Sequence, residues 1–155
     1  MEIVMVGYAG RAGAAALAKT HAAILSEEFA PDLIAAASEG PASFRLPEDI
    51  GAQCLVSLAG GFYRGLRILA EKLQCGCEVD MRRIPVRQED VEICEILGKD
   101  IFRICSSGGW LAACDTAEET VARLRRAKIP ASRIGRTISG RGDYSVVYTQ
   151  KGEAK

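Results

Sequence analysis

At 155 residues and 48% hydrophobic content, the chain is long enough for one compact core and too short for two. Twenty Lys and Arg balance twenty Asp and Glu, so no global field draws nucleic acid, an anionic membrane or a strongly charged substrate, and partners must be recognised locally. The opening MEIVMVGYAG places Glu2 where a signal peptide needs a basic residue, and its apolar run is too short to cross a membrane; the expectation is a cytoplasmic protein that binds neither nucleic acid nor membrane.

In chain order, Ile3 to Val6 reads as a strand, and a turn with Gly7, Gly10 and Gly13 leads into one long helix. That helix carries Ala14, Leu17, Ala18, His21, Ile24 and Leu25 at helical spacing. Pro31 suits the first turn of a short helix running to Ala37, and residues 39–51, with two prolines and two glycines, read as an irregular connection. CLVSL at 54–58 is a short β-prone run, and Gly60-Gly61 separates it from the helix FYRGLRILAEKL, whose Phe62, Leu66, Leu69, Ala70 and Leu73 form one apolar stripe. CEVDM at 77–81 reads as a further strand, followed by a helix from about Glu89 to Leu97 that Gly98 stops in a left-handed cap. WLAAC at 110–114 is a buried strand, and Thr116 with Glu119 predicts a capping box for a helix through Ala127. At the end, 137–139 and 144–149 flank Gly140-Arg141-Gly142-Asp143 as a hairpin, with turn chemistry accounting for the Arg-Gly-Asp tripeptide. The expected fold is one α+β domain over residues 1–150: a mixed, mostly antiparallel sheet with helices layered on one face, and 151–155 as a disordered tail.

The six cysteines, 54, 75, 77, 94, 105 and 114, fall mostly in apolar runs and read as free thiols packed as small hydrophobes. Cys75-Gly-Cys77 is the one tight pair, and a zinc site would need two more ligands at recognisable spacing. His21, the single histidine, sits on the apolar face of its helix, so no metal site is expected. The candidate ligand residues are Gly60 and Gly61, whose N–H groups open a helix, Arg64 one turn in, and Ser106, Ser107 and Gly108 before the strand of Trp110. Two readings stay open for each stretch: a cradle for phosphate or another anion, or a tight turn that only joins two elements.

The ordered series of the Gly-Gly helix, CEVDMRRIPV, EICEILGKD, SSGGWLAA and IPASRIGRTISG resembles the C-terminal domain of the aminoimidazole ribonucleotide (AIR) synthase-related superfamily. Its nearest branch is the hydrogenase-maturation proteins, and EIVMVGYAG with its helix fits the start of that domain. The resemblance implies an N-terminal domain that supplies most of an ATP and magnesium site. Met1 stands where that domain would end, so the chain reads as the C-terminal half standing alone. It also implies an acid, an aliphatic residue, a hydroxyl residue and often a second acid before the double glycine, where Val56, Ser57, Leu58 and Ala59 stand here. Likewise a Thr-Lys pair and Gly-x-Glu-Gly are replaced by Val6, Gly7 and Gly10-Arg11-Ala12-Gly13, and the tail TQKGEAK lacks the terminal cysteine of the hydrogenase-maturation branch. Valine or alanine for a carboxylate removes both a metal ligand and a general acid or base.

Three functions follow as expectations. The first is a degenerate, non-catalytic domain, without catalytic residues, that self-associates as a homodimer or larger, or binds a partner, and retains a weak phosphate or nucleotide pocket. The second is the C-terminal subunit of a split ATP-dependent enzyme, with ATP and magnesium held only when a separate N-terminal-half protein completes it. The third is a thiol or metal role for Cys75 and Cys77.

Overall fold

The computed structural model describes residues 1–138 and 146–149. Strand β1 (Glu2–Val6) is followed by helices α1 (Arg11–Thr20), α2 (Ala22–Leu25) and α3 (Pro31–Ser38). The long helix expected through Leu25 is therefore broken at His21, which leaves helical geometry at φ −110°, ψ 24°. Thr20 turns its hydroxyl back onto Ala16 O at 2.9 Å, a bond that competes with the ladder where a β-branched residue is already a poor helix former. Pro31 opens α3 at a position whose N–H needs no helical partner.

Strand β2 (Ala52–Ser57), helix α4 (Phe62–Leu73), strand β3 (Gly76–Asp80) and helix α5 (Gln88–Leu97) come next, with a single 3-10 turn at Met81–Arg83. Gly98 caps α5 at φ 67°, as the sequence predicts. Strand β4 (Trp110–Cys114), helix α6 (Ala117–Arg126) and strands β5 (Ala131–Ile138) and β6 (Val146–Thr149) complete the described elements. No side-chain cap bond forms at Thr116, so the expected capping box is absent. Glu2 takes its place, Oε2 accepting from Ala117 N at 2.6 Å, because β1 lies under the start of α6.

The six strands form one sheet in the order β2-β4-β1-β5-β3-β6, antiparallel at every pair except β3 with β6. The mostly antiparallel α+β architecture is as the sequence predicts. The terminal hairpin is not: β5 and β6 are not neighbours, because β3 pairs with β5 through Gly76–Val79 and takes the edge that β6 would need. The turn Gly140-Arg141-Gly142-Asp143 and the tail 151–155 lie outside the described residues.

The helix layering extends to both faces of the sheet. Ile3, Met5, Val56, Leu111, Ala113 and Ile134 pack with Phe62, Leu66 and Leu69 of α4. From the same strands Val4, Val6, Ala112 and Cys114 point the other way and pack with Leu124 of α6. Their unalternated apolar runs are the mark of strands covered on both sides. A third cluster, Ala18, Leu25, Ala37 and Ile93, joins α1, α2, α3 and α5.

Candidate functional site

The register places Val6 opposite both Trp110 and Ala131, and Ser57 opposite Trp110. The loops 7–10, 58–61, 106–109 and 127–130 therefore gather at one end of the sheet, and all six predicted ligand residues or their neighbours lie there. These loops hydrogen-bond one another. Leu58 N donates to Gly109 O at 3.0 Å, and Leu58 O accepts from Gly61 N at 2.9 Å and Ser106 N at 3.2 Å. Gly10 N donates to Ser106 Oγ at 2.7 Å, Gly13 N to Cys105 O at 2.8 Å and Gly109 N to Ser106 O at 3.0 Å.

The predicted residues divide between two depressions. Gly60 and Arg64 line a groove of about 560 Å³ between α4 and the turn at 102–103, with Tyr63, Arg67, Ile68, Glu71, Phe102 and Arg103. Gly61 is buried beneath it at φ 99°, and a Cβ there would stand 2.9 Å from Arg103 O. Its lack of a side chain is thus required by the close approach of the 103–104 backbone. Tyr63 N, in the first turn of α4, donates to Phe102 O at 3.2 Å, so two N–H groups of this helix start already have carbonyl partners.

Ser107 and Gly108 line the second depression, a cleft of about 490 Å³ bounded also by Gly7, Tyr8, Arg11, Phe44, Arg87 and Lys128. Ser106 is not in it; it is 1% exposed and serves as the acceptor for Gly10. Gly7 (φ 89°), Gly40 (φ 77°), Gly108 (φ 91°) and the non-glycine Lys128 (φ 60°) all border this cleft in left-handed geometry. A lysine held there is uncommon enough to mark a constrained loop.

Sequence reasoning missed Arg11, Arg87, Lys128 and Asp90. Arg11 is 3% exposed; its Nη1 donates to Asp90 Oδ1 at 2.8 Å and Ala37 O at 2.9 Å, and its Nη2 to Ala36 O at 2.8 Å. One guanidinium thus joins α1, the end of α3 and the start of α5 while bordering the cleft. Burial pushes the Asp90 carboxyl up to about 6 against the opposing pull of Arg11, and Asp90 Oδ2 has no hydrogen-bond partner among the described residues. The signal for Arg11 was present in GRAGAAALA, a lone charge in a run of small residues.

The donor set does not fit a magnesium nucleotide held by this domain alone. Val56, Leu58 and Ala59 offer no side-chain oxygen to a hard cation, and no described group of three or more His, Cys, Asp or Glu could hold a metal ion. All six cysteines are free, and burial pushes the Cys77 thiol up to about 11, which keeps it protonated and poorly nucleophilic at neutral pH. Among the described residues, no helix is long and apolar enough to cross a membrane.

No curated protein gives a significant match to the sequence. Solved structures do resemble it. E. coli HypE, a hydrogenase maturation protein, is 24% identical with a TM-score of 0.67, covering 95% of this chain and 46% of its own. A HypE in complex with ATP is 22% identical with a TM-score of 0.71, covering 97% and 48%. Thiamine-monophosphate kinase from Stenotrophomonas maltophilia is 20% identical with a TM-score of 0.66, covering 99% and 51%. At these identities the likeness is one of fold, and this chain spans about half the length of each. The family model for the AIR synthase related protein, C-terminal domain, matches residues 2–148, and the chain belongs to that family.

Proposed function

We propose that this domain is a non-catalytic binding module of the cytoplasm, which self-associates and holds a phosphate-class anion weakly in the cleft beside Ser107 and Gly108. The carrying observation is the mutual bonding of the end-of-sheet loops: Leu58 O, Ser106 Oγ and Cys105 O take up the N–H groups of Gly61, Gly10 and Gly13. A loop whose donors serve its neighbours, with Val56 and Ala59 in place of acids, has architecture and no reacting group. Arg87 and Lys128 line the cleft together with Glu39; Arg87 pairs with Glu89 at 3.3 Å, which leaves Lys128 as the cation most open to an anion. Self-association is supported by β2, an outermost strand whose residues Ala52–Ser57 carry no charge and no proline, with Leu55 38% exposed. Such an edge has neither charge nor proline to oppose strand pairing, and its one irregularity, between Ala52 and Cys54, leaves Leu55–Ser57 regular.

Sedimentation velocity across a concentration series, with calorimetric titration of phosphate and magnesium-ATP, tests the proposal. A reversible dimer, with phosphate heat only at millimolar concentration, is expected. Micromolar magnesium-ATP binding with turnover would overturn the non-catalytic reading, and a monomer at all concentrations would overturn self-association. A second reading is favoured by the ATP-bound HypE, of which this chain resembles 48%: the domain completes an ATP-dependent enzyme whose other half is supplied separately. Tight nucleotide binding that appears only with such a half would select it.

A further inference from the structure

The groove along α4 has a chemistry that neither the sheet-end cleft nor self-association uses. Three guanidiniums, Arg64, Arg67 and Arg103, line it, with Glu71 as its single carboxylate. Arg64 and Arg67 are exposed and have no ion-pair partner within 4.0 Å among the described residues, whereas Arg103 pairs with Asp100 at 3.4 Å. In a chain whose charges balance at twenty and twenty, this is a local positive excess in a concave surface, where field lines concentrate. The apolar wall is aromatic. Tyr63 and Phe102 are partly buried with centroids 5.8 Å apart, and Tyr148, 40% exposed, meets Tyr63 edge-on at 5.2 Å. The Arg103 guanidinium lies over the Tyr63 ring, 5.3 Å from its centroid, which fixes one cation against the wall before any ligand arrives.

Guanidinium groups recognise phosphate through paired, charge-assisted hydrogen bonds, and partly exposed rings offer a flat apolar surface to another ring. A volume of about 560 Å³ is that of a small-molecule site rather than a single-ion site. We infer that this groove binds an aromatic phosphate monoester of nucleoside-monophosphate size, its phosphate between Arg64 and Arg67 and its ring against Tyr63 and Phe102. The site is separate from the cleft beside Gly108 and stands whether or not that cleft holds an anion. Gly61 N and Tyr63 N add nothing to that affinity, because they are already bonded to Leu58 O and Phe102 O.

Calorimetric titration of the whole chain at low ionic strength with AMP, inorganic phosphate and adenosine tests the inference. AMP is expected to bind more tightly than phosphate or adenosine, because it alone presents both halves of the recognition. Arg67→Gln, at an exposed position where folding is not at risk, should weaken AMP at least about tenfold, the usual effect of removing one charge-assisted bond. Arg126→Gln, at the exposed end of α6 and outside both depressions, should leave AMP binding unchanged. No AMP heat at millimolar concentration would overturn the inference, as would AMP binding that the Arg67→Gln, Arg103→Gln double variant retains. Loss of AMP binding in Lys128→Gln alone would move the ligand to the sheet-end cleft. Equal affinity for phosphate and AMP would remove the aromatic half of the assignment and so overturn it as stated.

Discussion

At the scale of single residues, the buried pair of Arg11 and Asp90 makes the clearest demand on solution behaviour. Asp90 is fully buried, with one oxygen on Arg11 and the other without a partner among the described residues, so desolvation outweighs attraction and lifts its carboxyl from 3.8 to about 6. A group whose folded pKa is raised contributes stability that is complete below its unfolded pKa and is lost as pH rises through the folded one. Denaturant unfolding of the wild type and Asp90→Asn between pH 4 and 7 should therefore show the wild type losing stability relative to the variant, by on the order of 3 kcal/mol. A flat difference would mean that Arg11 holds the carboxylate ionised throughout. The same scale shows what was legible in the sequence. Gly60-Gly61 and Ser106-Ser107-Gly108-Gly109 are identifiable as loops from residue type alone. Whether their N–H groups face a ligand depends on Leu58 O, Cys105 O and Phe102 O, which the fold brings in from elsewhere.

At the scale of elements, local periodicity performs well where local forces decide. The apolar stripe of 62–73 and the run 110–114 give α4 and β4 at their observed limits, and Gly98 ends α5 through its own backbone freedom. Apart from the local break of the first helix after Thr20, the failures are elements whose ends are set by distant partners. Thr116 has the residue type of a helix cap, but Glu2, more than a hundred residues away, supplies the cap and also pairs with Arg133 at 2.7 Å. Accepting the Ala117 N–H holds the Glu2 carboxyl below its ordinary 4.5, so its contribution is present above that value and lost as pH falls through the lowered pKa, opposite in sign to Asp90. Glu2→Ala should cost about 1 kcal/mol at pH 7, the typical worth of a cap. In urea unfolding the difference between variant and wild type should shrink as pH falls below 4.5; a difference independent of pH would assign the loss to packing of the Glu2 stem rather than to its charge.

At the scale of the whole molecule, no two described strands adjacent in the sheet are adjacent in the chain: the order β2-β4-β1-β5-β3-β6 closes every pair over a long separation. This is why a terminal hairpin looked attractive from turn residues and failed, since chain proximity is not the rule that builds this sheet. The central strand ties the layers together, because Ile3 and Met5 enter the core under α4 while Val4 and Val6 enter the core under α6. The two cores should then unfold as one unit, and a lesion in one should be read in the other. Met5→Ala removes a fully buried side chain from the α4 core, where truncations of this kind cost about 2–5 kcal/mol. Trp110, the single tryptophan, packs against the α6 core and reports the opposite face. Urea unfolding of Met5→Ala followed by Trp110 fluorescence and by far-ultraviolet circular dichroism should give one shifted midpoint for both probes. If the fluorescence midpoint stays at its wild-type value while the dichroism midpoint falls, β1 does not couple its two faces, and each helix layer melts from the sheet on its own.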